Sequence, residues 1–281
     1  MQRVGVVGCG LMGAGIAEVS ARAECDVVVV EADQKAVDAG LERLTKSLGR
    51  AEAKGKITSA QDVLTRIRVV TELEELADRD LVIEAIAENE TAKVGLFKRL
   101  DAIVESTDAV LASNTSSIPI MKLAVATNRP TQVLGVHFFN PVPVLSLVEL
   151  VPSLLTAPAT TSKVRSFVED TLGKHTIDCQ DRAGFIVNAL LIPFVLSAIR
   201  MFESGFATAE DIDQGLIRGA AHPQGPLALA DLIGLDTTKA VAESLYEEFK
   251  EPLYAPPPLL ARMVEAGLLG RKTGRGFYTY N

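Results

Sequence analysis

Short apolar runs alternate with longer stretches of helical periodicity through the first part of the chain. Residues 3–7, 26–30, 66–70, 80–85, 109–113 and 132–138 are rich in Val, Ile and Leu, and they predict six strands. Most are apolar throughout instead of alternating, which is the pattern of a strand covered by helices on both faces. A helix is predicted over 11–23. Alternating β and α units predict a doubly wound, mostly parallel α/β sheet with right-handed crossovers. Residues 33–59 carry a longer helical pattern, broken at Gly49 and Gly55. It predicts an inserted helical pair projecting from the sheet, with Arg50, Lys54 and Lys56 near its tip.

The pattern changes near residues 178–184, and no strand is evident beyond Gly184. Residues 185–202 predict a long apolar helix. Thr208 followed three residues later by Asp211 marks the start of a helix running to Gly219. Further helices are predicted over 227–233, 237–249 and 258–267. The chain therefore divides into an α/β domain, 1–182, and an all-α domain, 183–281. The helix over 185–202 is apolar on nearly all sides, which predicts burial against several neighbours or against another subunit.

Composition narrows the partners. The 281 residues correspond to about two domains at roughly 150 residues each. A hydrophobic share of 48% and a charged share of 23% exclude an intrinsically disordered chain. The formal net charge of −8 disfavours nucleic acid and anionic membranes as partners. Cys9, Cys25 and Cys179 form no CxxC pair, so neither a disulfide framework nor a metal site is expected. The opening MQRVGVVGCG has no basic region ahead of a long apolar one, so no leader is expected, and a cytoplasmic location is. Two charge-free stretches, 130–148 and 184–199, are interrupted by prolines and polar residues and do not read as membrane spans.

Four groups of residues carry candidate chemistry. Gly8-x-Gly10-x-x-Gly13 follows the first strand and opens the first helix. The first glycine permits the turn, the second lets a pyrophosphate approach the backbone, and the third allows close packing of helix on strand. The helix then presents its first N–H groups, at Leu11 and Met12, to the phosphates. Glu31 ends the second strand, where a carboxylate accepts from the adenosine ribose hydroxyls and repels a 2′-phosphate, favouring NAD over NADP. Ser113-Asn114-Thr115-Ser116-Ser117 follows the fifth strand. It suits either a substrate carbonyl or plain capping of the next helix. His137 follows in an apolar run whose sole acid between residues 130 and 151 is Glu149. An isolated carboxylate there is costly unless paired, so a His–Glu pair acting as general base is expected, against a buried structural histidine. Asn188 is a lone amide on the apolar helix, facing either the site or its own backbone.

Taken together, GCGLMGAGIA (8–17), VIEAIAEN (82–89), LASNTSSI (111–118), GVHFFNPVP (135–143), LVEL (147–150), AGFIVN (183–188), HPQGPLALADLIGLD (222–236) and GRKTGRGFY (270–278) resemble the 3-hydroxyacyl-CoA dehydrogenase family, in particular its short 3-hydroxybutyryl-CoA members. The resemblance implies a Rossmann-like NAD-binding domain and reversible oxidation of a 3-hydroxyacyl-CoA. It implies that His137 is the general base and that Glu149 orients it. Ser116 and Asn188 would bind the substrate oxygen. Glu31 would bind the adenosine ribose. Glu88, Lys93 and Asn114 would lie along the nicotinamide half, with Asn140 and Lys272 close to the cofactor. Arg50, Lys54 and Lys56 would meet the CoA phosphates, and the helical domain would form a homodimer. Three departures bear on acyl-chain preference: Arg182-Ala183 precedes Gly184 where the family usually has proline, Glu31 replaces an aspartate, and Ala221 precedes His222 where asparagine is frequent. Two alternatives stay open: the same chemistry on a carrier-protein-bound acyl group, and a dinucleotide-binding protein without catalysis. A lysine-base 3-hydroxyacid dehydrogenase is disfavoured, because its lysine motif is missing.

Overall fold

The computed structural model describes residues 1–280 and divides into two compact units, Met1–Asp181 and Arg182–Asn281. In the first unit β1 (Arg3–Val7), α1 (Leu11–Arg22), β2 (Asp26–Val30), α2 (Gln34–Ala53), α3 (Ala60–Leu64), β3 (Ile67–Val70) and β4 (Leu81–Glu84) are followed by α4 (Glu90–Ile103), β5 (Val110–Ser113), α5 (Ile120–Ala124), β6 (Val133–Phe138), β7 (Leu147–Pro152), α6 (Pro158–Ser166) and β8 (His175–Asp178). The strands form one sheet in the order β3-β2-β1-β4-β5-β6-β7-β8. All neighbours are parallel except β6 and β7. Strands β4, β5 and β6 are buried along their whole length, and β1 and β2 from their second residue on. That is the consequence of helices covering both faces, and it accounts for the unbroken valine runs.

The chain order reverses between β2 and β4 on either side of β1. The carboxyl end of β1, where the glycine turn begins, is therefore the switch point at which doubly wound sheets bind ligands.

The six expected strands are present, and two more extend the sheet. β7 runs antiparallel to β6 and β8 runs parallel to β7. The helical stretch after β2 also differs from expectation. Helix α2 continues through Gly49 to Ala53, and only Gly55, with φ +65, breaks it. The pair α2–α3 does not stand off from the sheet: Leu44, Leu48 and Val63 are buried with Val19 of α1 and Ile67 of β3 in one core.

The second unit comprises α7 (Val187–Glu203), α8 (Ala209–Gly219), α9 (Pro226–Ile233), α10 (Leu235–Phe249) and α11 (Pro258–Glu265). Its own core is built from Ile192, Val195, Leu196, Leu227, Leu245 and Leu260, among others. Thr208 caps α8 as expected, its hydroxyl accepting from the Asp211 N–H. α7 buries one side, but Leu190 is 73% exposed and Met201 is also exposed. Two buried aspartates tie the unit together. Asp213 accepts from the Leu227 and Ala228 N–H groups at the start of α9 and from the Tyr278 hydroxyl. Asp231 accepts from the Phe277 and Tyr278 N–H groups and from the Tyr280 hydroxyl.

Candidate active site

The glycine turn is specific in its geometry. A Cβ on Gly13 would stand 1.8 Å from the Gly8 carbonyl oxygen, and one on Gly8, with φ +95, would stand 2.7 Å from the Ala85 carbonyl. Both positions are closed to any side chain. Gly10 is different: a Cβ there would meet nothing within 4 Å. The glycine at position 10 thus leaves open space above the backbone at the start of α1. No side chain caps that helix and no acidic residue sits in its first turn. Unpaired N–H groups with a positive dipole end, under open space, fit a pyrophosphate. Beside the turn lies a cavity of about 640 Å³ lined by Gly8, Glu31, Thr71, Ile86, Leu96 and Arg99, among others. Glu31 accepts from the Cys9 and Ala32 N–H groups. The residues present therefore fit a dinucleotide.

At the ends of β4 and β5 lies a charged cluster. Lys93 of α4 is 1% exposed, and its Nζ lies 2.9 Å from Glu84 and 2.8 Å from Glu88. Glu84 also accepts from the Ser113 hydroxyl at 2.6 Å and the Ile86 N–H at 2.7 Å. Glu88 accepts from the Thr115 hydroxyl, the Ser116 N–H and the Ser117 hydroxyl. Burial alone would raise the Glu88 pKa. The Lys93 charge and these hydrogen bonds outweigh burial and hold it below the ordinary carboxylate range. The loop carrying Ser116 is thus held by one carboxylate, and the Asn114 amide oxygen accepts from the Phe138 N–H at 2.8 Å, joining it to the end of β6.

His137 is the penultimate residue of β6 and faces Glu149 directly across the antiparallel pairing with β7. His137 is 6% exposed and Glu149 fully buried, with 2.7 Å between Nδ1 and Oε2. The ring of Phe139 stands edge-on to the imidazole at 4.6 Å. A carboxylate on Nδ1 selects the tautomer with the proton on that nitrogen and leaves Nε2 as the basic one. The loop that follows holds the exposed Asn140. It is pinned by Lys174, whose Nζ donates to the Val142 and Leu145 carbonyls at 2.7 Å each.

Apart from Arg50, Lys54 and Lys56, the structure thus brings the predicted residues of the first unit into three groups along the carboxyl ends of the central strands. Asn188, in the first turn of α7, and Lys272, ion-paired to Asp236, belong to the second unit. Arg50, Lys54 and Lys56 are exposed at and beyond the end of α2. Lys56 also lines a cavity of about 680 Å³ with Arg22, Arg66 and Lys174. Sequence reasoning missed Glu84 and Lys174, and although it singled out Thr115 and Ser117 it did not give them Glu88 as a partner. For Glu84 the signal was there: it is a carboxylate in the apolar run DLVIEA, just as Glu149 is in LVEL.

Residues 3–182 match the description "3-hydroxyacyl-CoA dehydrogenase, NAD binding domain", and residues 184–280 match "3-hydroxyacyl-CoA dehydrogenase, C-terminal domain". The chain belongs to the 3-hydroxyacyl-CoA dehydrogenase family. A relative called 3-hydroxybutyryl-CoA dehydrogenase, from Mycobacterium tuberculosis, is 57% identical over 100% of this chain and 99% of its own. The pig protein called hydroxyacyl-coenzyme A dehydrogenase, mitochondrial, is 40% identical over 100% of this chain and 91% of its own. Among solved structures, Mycobacterium tuberculosis FadB2 superposes with a TM-score of 0.99 at 57% identity, covering 100% of this chain and 99% of that one. The (S)-3-hydroxybutyryl-CoA dehydrogenase PaaH1 from Ralstonia eutropha superposes with a TM-score of 0.93 at 45% identity, again over 100% and 99%. The two matched stretches meet at residues 182–184, next to the boundary between the two compact units.

Proposed function

We propose that the chain oxidises a short 3-hydroxyacyl-CoA to the 3-ketoacyl-CoA, reversibly, with NAD as its cofactor. The observation that carries this reading is the buried His137–Glu149 pair, with His137 on the strand beside the one bearing the loop of Ser116. Bound NAD supplies the hydride acceptor. His137 Nε2 takes the proton from the 3-hydroxyl, and Glu149 holds the Nδ1 proton and stabilises the imidazolium as it forms. The Ser116 hydroxyl and the Asn188 amide donate to the substrate oxygen and hold it near His137. In the reverse direction, protonated His137 and Asn188 polarise the keto oxygen. Gly8, Gly10, Leu11, Met12 and Gly13 hold the pyrophosphate, and Glu31 takes the ribose. Glu88, Lys93, Asn114, Asn140 and Lys272 line the cofactor further along. Arg50, Lys54 and Lys56, exposed on α2 and just past it, meet the CoA phosphates, and two copies associate through the helical unit, whose α7 exposes Leu190.

His137→Gln is expected to lower kcat by at least ~100-fold while NADH still binds with its original affinity. Steady-state rates with a panel of 3-ketoacyl-CoAs of increasing length, alongside nucleotide titration, measure both quantities. A variant that keeps most of its turnover overturns the base assignment. Faster turnover on the same acyl groups borne by a carrier protein would move the substrate class from CoA to carrier.

A further inference from the structure

A second charged side chain meets the glycine turn from a different element. Arg43 lies in the third turn of α2, and its guanidinium donates to the Cys9 carbonyl. Glu31 accepts from the N–H of that same residue. One residue of the turn is therefore gripped by an anionic side chain from the end of β2 and by a cationic one from α2. The approach of α2 is built in, because Gly40, one turn before Arg43, packs directly on Cys9. A Cβ there would stand 2.7 Å from both Cβ and Sγ of Cys9. The Cys9 thiol registers both charges: burial first and Glu31 second push it up, Arg43 opposes them, and the net value is about 11. Arg43 is exposed, and its guanidinium meets a neutral carbonyl oxygen, with no ion pair to a carboxylate among the described residues.

We propose that Arg43 is a second specificity-determining residue of the nucleotide site, an anchor for a 2′-phosphate that Glu31 alone keeps out. The inference rests on the dinucleotide reading above. Carboxylate and guanidinium are the two groups that separate unphosphorylated from 2′-phosphorylated nucleotides in this kind of site, and here both converge on the turn. A guanidinium binds phosphate oxygens through its planar fork and exchanges a carbonyl for a phosphate with gain. The Glu31 carboxylate repels the phosphate and prevents that exchange. Arg99 is the competing cation. It lines the same cavity as Glu31, from α4, but among the described residues it makes no hydrogen bond to the glycine turn.

The test is a titration of NADH and NADPH by nucleotide fluorescence or calorimetry, which reads affinity without turnover. The proteins are the unaltered chain, Glu31→Ser, Glu31→Gln, and Glu31→Ser combined in turn with Arg43→Gln, Arg43→Lys and Arg99→Gln. The unaltered chain is expected to favour NADH. Removing the Glu31 charge raises NADPH affinity by about tenfold or more. Adding Arg43→Gln abolishes that gain, Arg43→Lys keeps part of it, and Arg99→Gln leaves it in place. Equal NADPH affinity with and without Arg43, loss of the gain with Arg99→Gln instead, or no gain in either Glu31 variant overturns the assignment. Failure of the unaltered chain to bind NADH overturns the dinucleotide reading itself, and the role of Arg43 with it.

Discussion

Glu84 and Lys93 place one carboxylate and one ammonium almost out of reach of water, with the exposed Glu88 as the second carboxylate on Lys93. Such a group of charges is retained only if every member is paired, because breaking a buried pair strands the remaining charge. Lys93→Met is therefore expected to cost about 3–5 kcal/mol in denaturant unfolding. The double change Lys93→Met with Glu84→Gln is expected to recover part of that loss, because the stranded charge goes with it. A single variant as stable as the unaltered chain would show the cluster to be dispensable for folding. The depressed pKa of Glu88 adds an acid limb. Its contribution to stability is present above the ordinary carboxylate range and is lost as pH falls through the lowered value. At this scale the sequence was half legible. The rule that a lone acid in an apolar run needs a partner located Glu149, and applied evenly it would have located Glu84. The partner could be read only for His137, which lies in the same charge-free stretch. Lys93 sits on a helix among other polar residues and carries no local mark of burial.

Elements with a strong period were legible, and elements defined by tertiary pairing were not. The buried strands β1, β2, β4, β5 and β6 announced themselves as apolar runs. β8 has four residues, of which His175 and Asp178 are exposed, so its pattern is that of a loop and its pairing with β7 makes it a strand. Gly49 looked like a break, yet α2 runs through it because Leu44 and Leu48 are buried on either side of the preceding turn, and that burial outweighs the ~1 kcal/mol helix penalty of glycine. The GRKTGRGFY segment gains a structural account as well. A Cβ on Gly276 would meet an Asp231 carboxylate oxygen at 1.9 Å, and one on Gly270 the Asp231 carbonyl at 2.3 Å. The tail is thus shaped to lie against a buried acid on α9. Asp231→Ala leaves several donors without acceptors and is expected to destabilise the helical unit by about 3 kcal/mol, read by tyrosine fluorescence in urea. A change below ~0.5 kcal/mol would show that water replaces the carboxylate without penalty. The same contacts give an alkaline limb. Burial, then Asp231, pushes the Tyr280 hydroxyl up to about 12, so its contribution is complete below the ordinary tyrosine value near 10 and is lost as pH rises from there through the raised value. Titrating stability between those two pH values in the unaltered chain and in Asp231→Asn tests the link.

At the scale of the whole chain, residue types are divided between the units in a way that makes each separately observable. All three cysteines, Cys9, Cys25 and Cys179, lie in Met1–Asp181 and are buried. Burial and nearby carboxylates push the Cys179 thiol up to about 12. Native thiols should therefore resist alkylation on two counts, access and protonation. All four tyrosines lie in Arg182–Asn281, and the chain has no tryptophan. Pulsed thiol labelling thus follows unfolding of the α/β unit, and intrinsic fluorescence follows the helical unit. The larger unit buries the central strands of an eight-stranded sheet and the smaller one closes around a helical core, and the buried fraction rises with size. The tyrosine transition is accordingly expected at lower denaturant than thiol exposure, with a range of concentrations where fluorescence has changed and the thiols stay protected. Coincidence of the two curves at every concentration would show one cooperative unit instead. Adding saturating NADH sharpens the distinction. A ligand held by the first unit raises the thiol transition by RT ln(1 + [L]/Kd), about 2.7 kcal/mol at a hundredfold excess over Kd. If the units unfold separately, the tyrosine curve stays where it was. If the tyrosine curve moves with the thiol curve, nucleotide binding stabilises both units together.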